Sequence, residues 1–393
     1  MKIALVAPSE IPARRANTMQ VMKMAQAMVA LGHDVRMATP FAAPPFSRGG
    51  QAGPTLEPDW ETLAHHYGLQ YRFPIIRLSS RNHFRRYDYG YRSVSWAKSW
   101  GADIIYSRLP QAAAISSQLD LPTVLEMHDF PHGSAGPLLF RLFLKGSGRR
   151  RLVVITRSLA EDLATRLGAP ASPLFTLVAP DGVDLGRYAN LPEPKAARNL
   201  LRQNENLPIE TESFLAGYTG HLYKGRGVDH MLALASVLPQ VTFLLIGGEP
   251  EDVSTLREKV ADLSLENVIL TGFIPNADLP IYQAACDLFL MPYQNEVAAS
   301  SGGDIARYLS PMKLFEYLAC GRAILSSDLP VLREVINSQN AVLLPPADIQ
   351  AWAAAIHSLW IDPQARRWLG EQAKIDAGRY TWEGRAVRVL EGL

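Results

Sequence analysis

The sequence predicts an α/β protein with two doubly wound parallel sheets. Short apolar runs alternate with helical segments, which is typical of strands that are buried on both faces of a parallel sheet. This alternation occurs in each half of the chain. The 393 residues also exceed what one ordinary core accommodates. We therefore expect two domains of about 190 residues each.

Composition and charge describe a globular chain and exclude several classes of protein. Hydrophobic residues make up 48% of the sequence and charged residues 20%, which disfavours disorder. A formal net charge of +1 disfavours a dedicated nucleic-acid binder. Cys286 and Cys320 lie in apolar stretches without metal-ligand spacing, so we expect core thiols in a reducing compartment. With no stretch of membrane-spanning length, we interpret the sequence as that of a cytoplasmic protein.

The first half opens with the buried strand KIALVAP, a loop, and a helix over 19–31 that ends at Gly32. DVRMAT begins the next strand, which completes a β-loop-α-β unit. Further strands are expected at 102–107, 123–128 and 151–156. We assign residues 1–190, joined by a C-terminal helix at 377–393, to a first Rossmann-like domain.

The second half repeats this alternation in the strands FLAGYT, VTFLLIG, NVILTG, DLFLMP, RAILSS and AVLLP. It predicts a second Rossmann-like domain over 191–376, with the join in the polar, proline-punctuated segment 191–208. Ligands are expected in a cleft between the two lobes, at the carboxyl ends of the strands. The loops at 41–54 and 294–307 are unusually long, and we hypothesise that the second becomes ordered when a donor binds.

The segment SPMKLFEYLACG predicts a helix with Ser310 as N-cap, Pro311 in the first turn and Gly321 at the end. A helix start presents free N–H groups and the positive end of a dipole, which suits a phosphate. Glu316 lies within the apolar helix. Its carboxylate either pairs locally or accepts hydrogen bonds from a ligand diol.

The turn TGHLYKGRG precedes a helix near residue 228. Gly220 permits close approach of the backbone, and Lys224 with Arg226 would neutralise a diphosphate. The alternative is a basic turn in water. The matching helix start at Ser310 favours phosphate binding.

Polar side chains also follow the strands of the first half. His128 in LEMHDFP is either a donor to a sugar hydroxyl or a histidine satisfied within a turn. Arg108 and Arg157 end strands, and each either binds an anionic or polyhydroxyl acceptor or ties loops together. PDGVD at 180–184 is interpreted first as a turn.

Basic and aromatic residues cluster at 71–100 and 138–151. Such segments bind anionic membrane surfaces or an acceptor phosphate, or form a solvated basic face with its aromatic residues in the core.

In order and spacing, these motifs resemble the retaining family-4 glycosyltransferases of the GT-B fold over nearly the whole chain. The matching pieces are the GHDV turn, LEMHDFP, VVITRS, PDGVD, TGHLYKG, LLIGG, ILTGFIPNADLP and SPMKLFEYLACGRAILSSDLP. The last is the SPxKLFEY variant of the family's Glu-x7-Glu motif, as in cell-surface polysaccharide biosynthesis enzymes. The resemblance implies a nucleoside diphosphate sugar as donor and no required cofactor or metal.

The resemblance also implies roles for residues of the second lobe. Lys224 binds the diphosphate, Glu316 binds the ribose, and Phe273 and Ile274 lie at the edge that binds the nucleotide base. The other donor-binding residues expected there are Gly220, His221, Arg226, Tyr308, Ser310, Pro311, Met312, Lys313 and Leu314.

In the first lobe the resemblance places His128 on the transferred sugar, and Asn17 and Thr18 in a loop that closes over the donor. His128, Lys224 and Glu316 are thus the expected catalytic residues. The leaving diphosphate would accept the acceptor's proton, so that no separate general base is needed.

Two departures from the family pattern bear on the donor sugar. Tyr308 stands where many members have a glutamate, and Asp304 or the 294–307 loop is a candidate substitute. His221 stands where many have an arginine, for which Arg226 partly substitutes.

The acceptor is expected to be a lipid-linked glycan or polysaccharide precursor at the inner face of the membrane, with a soluble sugar or sugar phosphate as the alternative. The rival functions are a non-catalytic nucleotide-sugar-binding protein and a sugar-nucleotide epimerase.

Overall fold

The structure is a computed structural model that describes residues 1–42, 59–81, 84, 86–298 and 304–393. The chain divides into two compact units. The first unit comprises Met1–Asp181 with Trp382–Leu393, and the second comprises Gly182–Thr381. The boundaries drawn from the sequence lie at 190 and 377.

Strands and helices alternate in the first unit. They are β1 (Lys2–Val6), α1 (Ala16–Ala30), β2 (Asp34–Ala42), α2 (Trp60–Tyr67), β3 (Ile75–Ser80), α3 (Tyr87–Trp100), β4 (Ile104–Ser107), α4 (Pro110–Gln118), β5 (Thr123–Met127), α5 (Ala135–Leu144), β6 (Arg150–Val154), α6 (Arg157–Leu167) and β7 (Thr176–Val178). The described strands form one parallel sheet in the order β3-β2-β1-β4-β5-β6-β7. The predicted fold class is confirmed here.

The second unit follows the same scheme. Its elements are α7 (Pro194–Glu205), β8 (Phe214–Thr219), α8 (Val228–Val237), β9 (Val241–Ile246), α9 (Pro250–Asp262), β10 (Val268–Gly272), α10 (Leu279–Ala284), β11 (Leu288–Met291), α11 (Met312–Cys320), β12 (Ala323–Ser327), β13 (Val342–Leu344), α12 (Ile349–Ile361) and α13 (Pro363–Ala377). The parallel sheet has the order β10-β9-β8-β11-β12-β13.

Each sheet reverses its winding direction at one point. In the first sheet the reversal lies between β1 and β4, and in the second between β8 and β11. Connections leave such a point in opposite directions, so the carboxyl ends of its strands open a crevice where ligands of open α/β sheets bind. The loops that follow these strands are therefore the first places to look for a site.

The segment 191–208, predicted as the join, contains helix α7 of the second unit. Pro194 fits its first turn, and Ala197, Arg198 and Leu201 are buried. Arg198 also pairs with Asp287. The polar composition of the segment reflects the exposed face of an amphipathic helix.

Helix α11 begins at Met312, and its N-cap is Pro311. The prediction of Ser310 as N-cap is thus wrong. Pro311 has the extended conformation of an N-cap residue, and its carbonyl accepts the hydrogen bond from Leu314 N at 2.9 Å. Gly321 ends the helix in the left-handed conformation with φ 68°, as predicted.

The last helix, α14 (Trp382–Leu390), packs against α1 of the first unit. Arg151 ties it to β6 by donating to Val389 O at 2.7 Å. Cys286 and Cys320 are buried free thiols. Among the described helices, none combines the length and apolar character needed to cross a membrane. Residues 43–54 and 299–303 of the two long loops lie outside the described residues.

Candidate active site

Two basic side chains and two aromatic rings meet at the switch point of the second sheet. Lys313 Nζ lies 3.6 Å from the centroid of the Tyr218 ring and 5.4 Å from that of Tyr293. Arg226 donates to the Tyr293 hydroxyl at 3.1 Å, and its guanidinium carbon lies 5.3 Å from the same ring. Tyr218 comes from β8 and Tyr293 follows β11, so the sheet order brings both rings to Lys313.

The β8–α8 turn and the segment leading into α11 contain side chains with a buried polar atom that no described residue hydrogen bonds. We call these residues the unpartnered cluster: His221 (Nδ1), Arg226 (Nε), Ser310 (Oγ) and Lys313 (Nζ). Burying a polar atom without a partner costs about 1–3 kcal/mol. Several such atoms in one region indicate a site that a polar ligand completes.

Gly220 lets the lysine lie against the turn. It has a φ of 125°, and a Cβ atom there would lie 3.1 Å from Lys313 Nζ and 3.2 Å from Lys313 Cε. A side chain at this position would therefore strain the backbone and displace the lysine.

Burial sets the protonation preferences of the cluster. It lowers the pKa of Lys313 well below the usual value, with a further decrease from Arg226 and an opposing effect of Glu316. It also lowers the pKa of His221, again with a contribution from Arg226. An approaching anion would meet one charged guanidinium and two groups that prefer to be neutral until it arrives.

Glu316 lies at the centre of a hydrogen-bond network. Its Oε1 accepts from Asn276 Nδ2 at 3.3 Å and its Oε2 from Gln283 Nε2 at 3.2 Å. Arg187 donates to Asn276 Oδ1 at 2.5 Å, and the Tyr188 hydroxyl donates to Gln283 Oε1 at 2.8 Å, which orients both amides. Glu316 stays partly exposed, and each carboxylate oxygen has a further lone pair for a diol.

The remaining residues expected at the donor are buried or half-buried: Phe273, Ile274, Tyr308, Pro311, Met312 and Leu314. Leu314 and Ile274 pack into the core of the second unit. A polar contact from either residue would therefore come from its backbone.

Lys224 differs from the residues of the unpartnered cluster in its solvent exposure. It is exposed and lines a cavity of about 650 Å³ between residues of α8 and α9, including Asp229 and Asp252. No member of the cluster lines this cavity. Of the two cations in the β8–α8 turn, Arg226 is the one with a described contact to the Tyr293 ring.

Asp304, considered as a substitute for the glutamate that Tyr308 replaces, has a local role. Its Oδ1 accepts hydrogen bonds from Val297 N at 2.8 Å and Ala306 N at 2.9 Å. These bonds fix the end of the 294–307 loop.

In the first unit a carboxylate–histidine cluster, Glu126, His128 and Asp181, lies at the ends of β5 and β7. Arg385 of α14 donates from Nη2 to Glu126 Oε1 at 2.9 Å and from Nη1 to Oε2 at 3.3 Å. Gln20 donates to Glu126 Oε1 at 2.7 Å, and His128 Nε2 lies 2.5 Å from the same oxygen. Glu126 is 2% exposed and Arg385 1%, so this is a buried, paired charge network.

The cluster's protonation follows from burial and from these partners. Burial alone would raise the pKa of Glu126, but Arg385 and His128 outweigh it and lower that pKa. Burial, aided by the charge of Arg108, lowers the pKa of His128. Burial raises the pKa of Asp181, whose Oδ1 has no hydrogen-bond partner in the described part of the chain. Glu126 is thus ionised and His128 neutral near pH 7.

The ligand atoms of Glu126, His128 and Asp181 all lie within 4.8 Å of one another, a spacing that a metal ion could bridge. The surroundings do not fit a divalent cation. Arg385 already occupies both oxygens of Glu126, and Arg108 adds a second cation beside His128. The arrangement therefore fits an internally paired network better than a metal centre.

Arg108 is held within the first unit. It donates to Asn17 O at 3.2 Å and to Gln20 Oε1 at 3.0 Å, and burial lowers its pKa to about 10. Arg157, in contrast, is exposed at the start of α6. Of the two candidate acceptor contacts, only Arg108 adjoins the carboxylate–histidine cluster.

The loop residues Asn17 and Thr18 differ in their engagement. Thr18 is buried, and its hydroxyl donates to Ala13 O at 2.7 Å. Asn17 donates to Ser9 Oγ at 2.9 Å, and its buried Oδ1 has no partner among residues that the structure describes. Asn17 therefore retains an acceptor for a ligand.

Sequence reasoning missed Arg385, Gln20, Tyr218 and Tyr293 as parts of these clusters. Arg385 lies 259 residues from Glu126 along the chain, so no local pattern links the two. Tyr218 lies within β8 and Tyr293 just after β11, where a buried aromatic residue is ordinary and gives no sign of a site. A weak signal was available at Gln20, a polar residue within the apolar stripe of α1 that is 1% exposed.

Two family models match the chain. The model described as "Glycosyltransferase Family 4" matches residues 18–187, and the one described as "Glycosyl transferases group 1" matches residues 213–362.

Among relatives, a Bacillus subtilis protein named as the teichuronic acid biosynthesis glycosyltransferase TuaC is 27% identical over 68% of this chain and 64% of its own length. The phosphatidyl-myo-inositol mannosyltransferase of Mycolicibacterium smegmatis is 24% identical over 99% of this chain and 92% of its own. The chain thus spans slightly less than two thirds of the first relative and most of the second.

A solved structure of Anabaena Alr3699/HepE in complex with UDP and glucose matches 100% of both chains with a TM-score of 0.72 and 19% identity. This likeness shows the GT-B fold.

Proposed function

The chain belongs to glycosyltransferase family 4, and from that membership we propose that it transfers a sugar from a nucleoside diphosphate sugar to an acceptor hydroxyl with retention of configuration. The unpartnered cluster is the observation that carries the proposal. One buried polar atom of each member lacks a hydrogen-bond partner among the described residues, which suits a diphosphate that supplies acceptors.

The second unit is proposed to hold the nucleotide half of the donor. Arg226, His221 and Ser310 would bind the diphosphate, and Glu316 would accept hydrogen bonds from the ribose hydroxyls. Negative charge grows on the diphosphate as the glycosidic bond breaks, so donors fixed in a buried site stabilise the transition state more than the ground state. The leaving diphosphate then accepts the acceptor's proton.

His128 of the first unit is proposed to contact the transferred sugar. The ionised Glu126 accepts a hydrogen bond from the protonated Nε2 of His128. Nδ1 of the neutral ring then remains as an acceptor for a sugar hydroxyl. Arg385 fixes Glu126 and thereby the ring. His128 would act by positioning and polarising the sugar.

Lys224 and Arg226 are alternative candidates for the diphosphate. The family resemblance points to Lys224, whereas exposure and surroundings favour Arg226, which is half-buried beside Lys313 and Tyr293. We propose Arg226 as the main contact and a peripheral contribution from Lys224.

The acceptor is proposed to be a lipid-linked glycan or polysaccharide precursor. The names of the relatives refer to teichuronic acid and to phosphatidyl-myo-inositol. On α5, Leu138 and Leu142 are 59% and 38% exposed, and the exposed cations Arg141 and Lys145 share their face. An apolar and basic stripe of this kind binds an anionic membrane surface.

The test is product analysis with UDP- and GDP-sugars, each offered with a lipid-linked glycan in vesicles or with a soluble sugar phosphate. We expect sugar transfer with retention of the anomeric configuration, as determined by NMR of the product. The His128→Ala variant should have a lower turnover with nearly unchanged donor affinity. Binding without turnover on every acceptor would overturn the proposal in favour of a nucleotide-sugar-binding protein. An epimerised sugar without acceptor would overturn it in favour of an epimerase.

A further inference from the structure

Lys313 has an unusual environment for a lysine in a proposed anion site. Its Nζ is buried, and no hydrogen-bond partner for it exists among the described residues. The rings of Tyr218 and Tyr293 line the nitrogen at 3.6 and 5.4 Å. The faces of the rings attract a cation. Burial of Nζ without a hydrogen bond to a described residue disfavours a cation.

The charged and titratable groups around Lys313 come from β8 with the turn after it, from α11, and from the segment after β11. Arg226 and His221 lie in the turn after β8, and Glu316 lies one turn further along α11. Burial raises the pKa of both tyrosines, so they are neutral near pH 7. The permanent cation of Arg226 opposes a second positive charge, and Glu316 only partly offsets it.

We propose that Lys313 is a diphosphate-binding residue that is neutral in the unliganded protein and takes up one proton from solvent when the donor binds. The inference rests on the proposed function, because it needs a diphosphate at the unpartnered cluster. The proton adds to the lone pair of Nζ, and no bond of the nucleotide breaks. The resulting ammonium donates charge-assisted hydrogen bonds to phosphate oxygens.

The direction of the pH dependence follows from this coupling. Donor binding consumes a proton at every pH between the pKa of Lys313 in the unliganded protein and its higher pKa in the donor complex. Affinity in that range therefore falls as the pH rises, by up to about tenfold for each pH unit. A lysine that is charged in both states would give no such slope.

Isothermal titration calorimetry measures the proton directly. UDP and GDP are titrated at about pH 8 in buffers of different protonation enthalpy, where phosphate and histidine no longer titrate. The dependence of the observed enthalpy on the buffer gives the number of protons bound. We expect about one proton per nucleotide for the wild type.

Three variants assign the proton. Lys313→Met should lose the uptake and bind about 10- to 100-fold more weakly. Lys374→Met, which changes an exposed lysine of α13, is the matched control and should keep both uptake and affinity. His221→Gln should keep the uptake, because the pKa of His221 is lowered from a usual value of about 6.5, which is too far below pH 8 for the ring to become charged when the nucleotide binds.

The possible failures are distinguishable. Nucleotide binding by the wild type without proton uptake, or uptake that persists in Lys313→Met, overturns the role of Lys313 and leaves the proposed function intact. Failure of both UDP and GDP to bind overturns the proposed function and this inference with it.

Discussion

In the first unit, the buried Glu126 carboxylate accepts hydrogen bonds from Gln20 and Arg385, whereas in the second unit the buried Lys313 nitrogen has no partner that the structure describes. Both regions lie at the carboxyl ends of strands in sheets of the same type. The chain itself pairs Glu126, mainly through Arg385 of α14. The Lys313 nitrogen is left for a ligand to pair.

This difference separates two uses of buried charge. A paired network holds a side chain such as His128 in a fixed orientation and protonation state. An unpaired cluster stores unfavourable desolvation that a bound anion relieves, so that it contributes to ligand affinity at the expense of stability. Removal of the Arg385 side chain should consequently destabilise the unliganded protein, whereas removal of the Lys313 amine should stabilise it.

The largest effect is expected for Arg385→Met in the first unit. Removal of the guanidinium leaves Glu126 buried without its cation, which should lower the free energy of unfolding by about 3–5 kcal/mol. Urea unfolding followed by circular dichroism measures it. Lys259→Met breaks the exposed pair with Asp229 and is the control, expected to change stability by at most about 1 kcal/mol. Equal effects of the two variants would contradict the buried-network account.

The second prediction concerns Arg226→Met in the second unit. Loss of a charge-assisted contact to the diphosphate should lower kcat/KM for the donor by about 10- to 100-fold. Lys224→Met is the comparison and should have a smaller effect, because that lysine is exposed. Steady-state kinetics with the best donor among the UDP- and GDP-sugars measure both values of kcat/KM. A larger loss in Lys224→Met would reverse the assignment of the two cations.

The third prediction is that Lys313→Met stabilises the unliganded protein. It replaces a buried nitrogen that lacks a described partner by an apolar chain of similar length, so the free energy of unfolding should rise by about 1 kcal/mol. Differential scanning calorimetry without nucleotide measures the Tm. A decrease like that expected for Arg385→Met would show that the lysine is part of a paired network after all.

The smallest effect is the pH dependence due to His128. Its pKa is lowered in the folded protein, mainly by burial, so below about pH 6.5 the unfolded chain binds the proton more readily. Its contribution to stability is therefore complete above that pH and declines as the pH falls toward the folded-state pKa. His128→Gln should show a shallower fall in Tm between about pH 6.5 and pH 5 than the wild type. Parallel curves would mean that His128 titrates as it does in the unfolded chain.

Much of the fold could be predicted from the sequence, because apolar runs such as those of β1, β8 and β9 mark buried strands and the runs recur in both halves. The order of the strands could not, since it depends on crossovers that leave no local pattern. The segment 191–208 shows a further limit. Polarity and proline suggested a join there, but the same features describe the exposed face and first turn of helix α7.

Site residues could be predicted where they stand out from their local sequence. Glu316 and His128 stood out because polar residues at apolar helix positions or strand ends are uncommon. The partners of these residues could not be found in this way. The network of Glu126 with Arg385, and the two rings around Lys313, assemble residues from separate elements, and only the folded backbone brings them together.

The most direct test of the account is a crystal structure of the protein with UDP or GDP, whichever binds more tightly. We expect diphosphate oxygens within about 3 Å of Lys313 Nζ and the Arg226 guanidinium, with the ribose hydroxyls on Glu316. We also expect an unchanged Glu126–Arg385 pair. A diphosphate bound at Lys224, in the cavity beside α8 and α9, with Lys313 still unpartnered, would contradict this expectation.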